Sequence, residues 1–234
     1  MFITPNYRLT RRFPFNLICA VLISIVASQA ALADELAIWN FNDSNLNADH
    51  GSGTLTSNLN PVNIVFAAGT TNNARQGDIA GQALSLQGGT GTANNGRNLT
   101  FNVSTLGFSN IVVSFATQGT STGFNSNQFQ YSLDGITFVD FGAVYAPAAA
   151  FGTLPLVFSL TSIIGLNNNA NAAFRVVFNG ATSSTGTNRI DNFVVEGTNA
   201  TIPEPTTALL LISGLTGLYK LRRRRKHDLA SDIK

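Results

Sequence analysis

QFQYSLDGITFVDF, Gln128 to Phe141, decides how this chain folds. Phe129, Tyr131 and Leu133 alternate with polar residues, the period of a strand with one buried face. Asp134-Gly135 is a hairpin turn signal, and Ile136–Phe141 returns. The same alternation recurs on either side. Ile111, Val113 and Phe115 share one face of Ile111–Ala116, and Phe174, Val176 and Phe178 share one face of Ala173–Phe178. Leu36–Phe41, Asn60–Ala67, Gln82–Leu86, Asn98–Val103, Leu154–Leu160 and Arg189–Glu196 read as further strands, with Pro155 marking an edge. Clusters of Gly, Asn, Ser and Thr separate these runs, and no convincing helix lies between them. About ten short strands spaced this way predict an all-β domain over 34–196, a two-sheet jelly-roll-like β-sandwich.

The charge pattern separates this domain from its ends. The whole chain of 234 residues carries a formal charge of +2, but its bases sit near the termini. Between Asp34 and Ala200 only Arg75, Arg97, Arg175 and Arg189 face nine acidic residues, a net charge of −5. No basic patch exists there to neutralise phosphates, so nucleic acid is not an expected partner. This stretch has no cysteine, so packing, with or without an ion, must hold the domain together.

At the N-terminus, Arg8, Arg11 and Arg12 precede an apolar stretch from Leu17 to Ala27, and Ala31-Leu32-Ala33 has the A-x-A form. This predicts a signal peptide over 1–33, cut after Ala33 by signal peptidase once the secretory translocon has engaged it. Pro14 stands where a twin-arginine signal wants Phe, which favours the general secretory route. At the other end, residues 197–201 read as a linker. Pro203-Glu204-Pro205 then precedes an apolar run from Thr207 to Tyr219, which stops at Arg222, Arg223, Arg224, Arg225 and Lys226. The two prolines keep their peptide extended and open to a processing enzyme. The run reads as one transmembrane helix, about 206–221, with its bases on the cytoplasmic side and a tail over 227–234.

The order of motif, helix and arginine cluster over 202–226 resembles a PEP-CTERM sorting signal. That resemblance implies an exosortase as partner, cutting near Pro203-Glu204-Pro205. It also implies transient anchoring in the inner membrane, then release to the cell surface or extracellular matrix among exopolysaccharide. Within the domain, Tyr131–Gly135, Phe174–Phe178 and Arg189–Val195 are similar to segments of secreted β-sandwiches, including jelly-roll carbohydrate-binding and concanavalin-like domains.

Catalytic chemistry finds little support. His50 is the only histidine between Asp34 and Ala200, so a serine nucleophile has a single candidate base there. Glu35 and Glu196 are the only glutamates there and do not form the spaced pair of a concanavalin-like hydrolase. A structural Ca²⁺ is the candidate cofactor, held by Asp191 with Glu35 or Asp43 where the first and last strands meet. Trp39 reads as core rather than as a sugar-stacking platform. Tyr131 also reads as core, Tyr145 is a further aromatic candidate, and Phe124 reads as a loop anchor. The expectation is an exported, non-enzymatic surface or matrix protein associated with exopolysaccharide; the alternative is a carbohydrate-binding module of jelly-roll type.

Overall fold

Alternating β-branched and aromatic residues favour a pleated, half-buried surface. In the computed structural model, which describes residues 33–199 together with Leu215 and Tyr219, they form twelve strands. In chain order these are β1 (Ala33–Trp39), β2 (His50–Gly51), β3 (Thr54–Ser57), β4 (Ile64–Ala68), β5 (Gln82–Gln87) and β6 (Arg97–Asn102). They continue with β7 (Phe108–Gly119), β8 (Gln128–Ser132), β9 (Phe138–Asp140), β10 (Leu156–Ser159), β11 (Ala173–Phe178) and β12 (Thr187–Asn199). Two antiparallel sheets result. The larger has the order β10-β7-β12-β1-β2, with β5 also on β12 and β4 on β5; the smaller has the order β3-β6-β11-β8-β9. The all-β, two-sheet expectation holds, and β10, the strand after Pro155, lies at a sheet edge.

The signals expected at 1–33 and 202–226, and the tail at 227–234, lie outside the described residues apart from Ala33, Leu215 and Tyr219. Pro203, Glu204, Pro205, Ala31 and Arg222–Arg225 are therefore among the residues not described. Among the described residues, no helix is long and apolar enough to cross a membrane. The first strand begins at Ala33, the residue expected to precede the cleavage point. The last strand runs to Asn199, three residues into the stretch read as linker, because Thr198 and Asn199 pair with Ala33, Ser109 and Phe108.

The core lies between the sheets. Leu84, Leu86, Ile111, Val113, Phe115, Ile190, Phe193 and Val195 come from the larger sheet, and Leu99, Phe101, Phe129, Phe174, Val176 and Phe178 from the smaller; all are fully buried. Trp39 is core, as expected. Its indole packs edge-on against Phe101 and Phe193 at 5.0 and 6.0 Å, and its Nε1–H donates to the carbonyl of Leu46. Phe101 stacks on Phe193 at 3.5 Å, and Phe193 on Phe115 at 5.3 Å. Phe124 anchors its loop against Phe178 at 5.6 Å. Tyr131 is half-buried against Phe141, and Tyr145 packs on Phe115 and Phe158. Neither tyrosine is an open platform.

Two strands escaped the sequence pattern. Gly51 allows β2: its φ of +72° suits glycine, and a Cβ there would lie 2.0 Å from the Leu36 carbonyl oxygen. In β3, Leu55 is the one apolar residue among polar neighbours, too little to show a period. The hairpin also differs from expectation. The Asp134 carboxylate accepts from the N–H groups of Ile136 and Thr137 and from the Ser132 hydroxyl, so the turn spans 133–137 and β9 starts only at Phe138.

Candidate functional site

The outer faces of the two sheets differ in cover. On the larger sheet, Ile38, Ser114, Ala116 and Val194 are buried outside the central core cluster. The segment from Gly69 to Asp78 is pinned to this sheet. Asp191 is the anchor. It sits on β12 where pairing with β5 ends at Ile190 and pairing with β1 begins at Phe193. Its carboxylate accepts from the Thr70 N–H at 2.7 Å and the Asn192 N–H at 2.8 Å. Asn192, at φ +48°, donates its amide to the carbonyls of Thr70 and Asn72, while the Asn73 amide donates to the Asn192 carbonyl and the Ser114 hydroxyl. Burial pushes the Asp191 carboxyl up to about 7, against the lowering effect of its two backbone donors.

The residues expected to hold calcium are not brought together. Asp191 is fully buried and bonded as above. Glu35 pairs with Glu196, five positions further along β12. Arg75 claims both glutamates: its Nη2 lies 2.7 Å from Glu196, and its Nε is 3.6 Å from Glu35. Gln76 donates its amide to Glu35. Asp43 is exposed and accepts from the Asn45 side-chain amide. Among the described residues, no three His, Cys, Asp or Glu side chains form a metal-binding group. His50, in β2, lies 3.7 Å from Asp78.

The outer face of the smaller sheet is open in part: Thr54, Thr56 and Asp140 are exposed and Asn102, Gln130, Phe138 and Arg175 half-buried, while Thr100, Ser132 and Ala173 are buried. Outward residues alternate with the core residues just named and line up across the strands through the register. One row is Thr54, Asn102, Ala173, Ser132 and Phe138. The next is Thr56, Thr100, Arg175, Gln130 and Asp140. Neighbouring strands lie about 4.8 Å apart, so each row spans about 19 Å. The centre of the face is built around Arg175. Its guanidinium carbon lies 3.3 Å over the Phe138 ring centroid, and its Nε donates to the Thr100 hydroxyl at 2.9 Å. Burial draws the guanidinium below its ordinary value, and among the described residues no acid is paired with it. Gln130 donates to Asp140 at 2.8 Å, and Asn102 donates to the Thr54 hydroxyl. Where the first row ends, a cavity of ≈ 230 Å³ is lined by Asn102, Ser104, Asp134 and Asn171 among others.

This face presents amides, hydroxyls and the Asp140 carboxylate, tied by their mutual hydrogen bonds, around one half-buried cation held over an aromatic ring. Such an array suits a ligand rich in hydroxyl groups, because each such group can both donate and accept. Sequence reasoning missed it. The one signal was Arg175, a charged residue at an outward position of an otherwise apolar strand.

No protein-family model and no curated protein matches the chain. Among solved structures it is similar to the CBM22-1 xylan-binding domain from Paenibacillus barcinonensis Xyn10C, at 12% identity over 74% of this chain and 100% of that one, with a TM-score of 0.44. It is also similar to TmCBM61, solved with β-1,4-galactotriose, at 12% identity over 67% of this chain and 92% of that one, with a TM-score of 0.40. The K2 cleaved adhesin domain of Lys-gingipain is similar at 11% identity over 71% of this chain and 99% of that one, with a TM-score of 0.43.

Proposed function

We propose that this chain is an exported, non-catalytic surface or matrix protein that binds polysaccharide through the outer face of its five-stranded sheet. The observation that carries the reading is Arg175, half-buried over Phe138 at 3.3 Å and framed by Thr100 and Gln130 on the outer face of the sheet. A glycan laid across the strands meets hydroxyl and amide partners in successive rows and a charge-assisted donor at the centre. The domain's net charge of −5 gives no general attraction to polyanions, so recognition rests on local hydrogen bonding.

The test is binding of soluble polysaccharides by the form beginning at Asp34, followed by glycan array and titration calorimetry. Arg175→Ala removes hydrogen bonds from a charged donor, each worth about 1.5–3 kcal/mol, so affinity should fall about 10- to 100-fold. Arg97→Ala, at the far end of β6, should leave affinity unchanged. Undiminished binding by the Arg175 variant would remove this face from the proposal.

Delivery through the C-terminal signal belongs to the same reading, and its support is the order of motif, apolar run and bases in the sequence. The exosortase reads Pro203-Glu204-Pro205, and Arg222–Arg225 hold the end of the chain on the cytoplasmic side until it cuts. In cells containing an exosortase, Glu204→Ala should leave the protein at its uncut mass in the membrane fraction, while the parent chain appears shortened at the surface or in the medium. Equal processing of both would sink this part.

A further inference from the structure

One end of the sandwich carries exposed apolar side chains in three separate loops. Leu106 is in the β6–β7 loop, Leu133 and Ile136 are in the β8–β9 turn, and Ile164 is in the turn after β10; their exposures are 54%, 44%, 83% and 78%. Hydrogen bonds tie these loops together. The Thr105 hydroxyl donates to the Leu166 carbonyl, and the Asn169 amide donates to the carbonyls of both Leu133 and Gly165. A Cβ on Gly165 would lie 2.8 Å from a Leu133 methyl, so Leu133 sits directly beside the turn that carries Ile164. The chain leaves the sheet at this same end: Asn199 pairs with Phe108, two residues after Leu106.

From Asn199 to Thr206, where the expected transmembrane helix begins, there are seven residues, a reach of at most about 25 Å. Two of them are proline. We infer that this end of the sandwich docks on the bilayer surface while the chain is anchored, with Leu106, Leu133, Ile136 and Ile164 entering the interfacial zone. The inference rests on the reading of 206–221 as a membrane anchor. The occupant is a neutral, zwitterionic lipid surface. Asp34 and Asp134 are the charges nearest this end, and no arginine of the domain lies in these loops, so anionic headgroups would not attract it. Four partly exposed side chains bind a bilayer weakly when free. A short tether raises their effective concentration at the surface and makes contact the resting state. Cutting near Pro203-Glu204-Pro205 removes that tether and frees this end.

The test uses the full chain reconstituted in phosphatidylcholine nanodiscs, with Cys19→Ser as background and a nitroxide at Ile164→Cys or, at the opposite end, at Val62→Cys. Co-purification with the discs reports anchoring. Collision with oxygen and with a water-soluble nickel complex reports docking. The expected result is a label at 164 that oxygen reaches several-fold better than nickel does, and a label at 62 that behaves as in water. Cleavage at the linker should return the 164 label to water-like values. Equal, water-like behaviour of both labels on co-purifying chains overturns docking and leaves anchoring intact. Spin–spin broadening between 164 labels would point to a second copy and also overturn it. Failure to co-purify overturns anchoring and docking together.

Discussion

Phe193→Ala is expected to lower the unfolding free energy by about 3–5 kcal/mol, the range for removing a large buried aromatic. Phe193 is where the two sheets meet. It stacks on Phe101 across the core and on Phe115 within its own sheet, and it takes the edge of Trp39. Every one of these partners is buried, so the cavity cannot collapse around a flexible neighbour. A domain of this size is stable by only about 5–15 kcal/mol, and each kilocalorie shifts its melting temperature by about 2–4 °C. A fall of about 10 °C or more in thermal melts is the expected result. A shift under 3 °C would mean that the aromatic stack does not hold the sheets together.

The second large effect concerns Asp191. A carboxyl raised to about 7 by burial, against 3.8 when unfolded, makes the folded state hold a proton that the unfolded chain releases. Its stabilising contribution is therefore complete below about pH 3.8. It declines as pH rises toward 7 and is gone above that value. Three pKa steps correspond to about 4 kcal/mol. Burial raises Asp49 as well, with the same sign, whereas exposed Asp134 is lowered by its backbone donors and acts in the opposite sense, its contribution fading as pH falls below 3.8. Asp191→Asn isolates the effect. The amide offers one oxygen where the carboxyl group presents one to each of Thr70 and Asn192, so at pH 5 the variant should be less stable by about 1–3 kcal/mol. Its urea midpoints between pH 4 and 8 should vary less than the parent's, and the gap should close or reverse by pH 8. Parallel curves would show that this carboxyl does not titrate in the folded protein.

Alternation made most strands legible, since a period of two needs only the chain itself. The face of Phe174, Val176 and Phe178 and the face of Ile111, Val113 and Phe115 were readable for that reason. β2 and β3 were not, because two residues cannot show a period and Thr54–Ser57 holds a single leucine. Partnerships across long separations were invisible. Glu35 looked free to bind an ion because Arg75, its neighbour in space, stands forty positions away. Asp191 looked like a ligand because nothing in the sequence announced the gap between β5 and β1 that its carboxylate closes. The stack of Arg175 on Phe138 depends on the registers of β11, β8 and β9 together, and these are fixed only when the sheet forms.

β12 is the last strand made and also the one that β1, β5 and β7 all need as a neighbour. Emerging from the ribosome, the first 186 residues lack the piece around which the larger sheet closes. In the export proposed above, where the chain is threaded through a narrow pore, this delay is useful. The sandwich cannot lock shut on the wrong side before its final segment arrives.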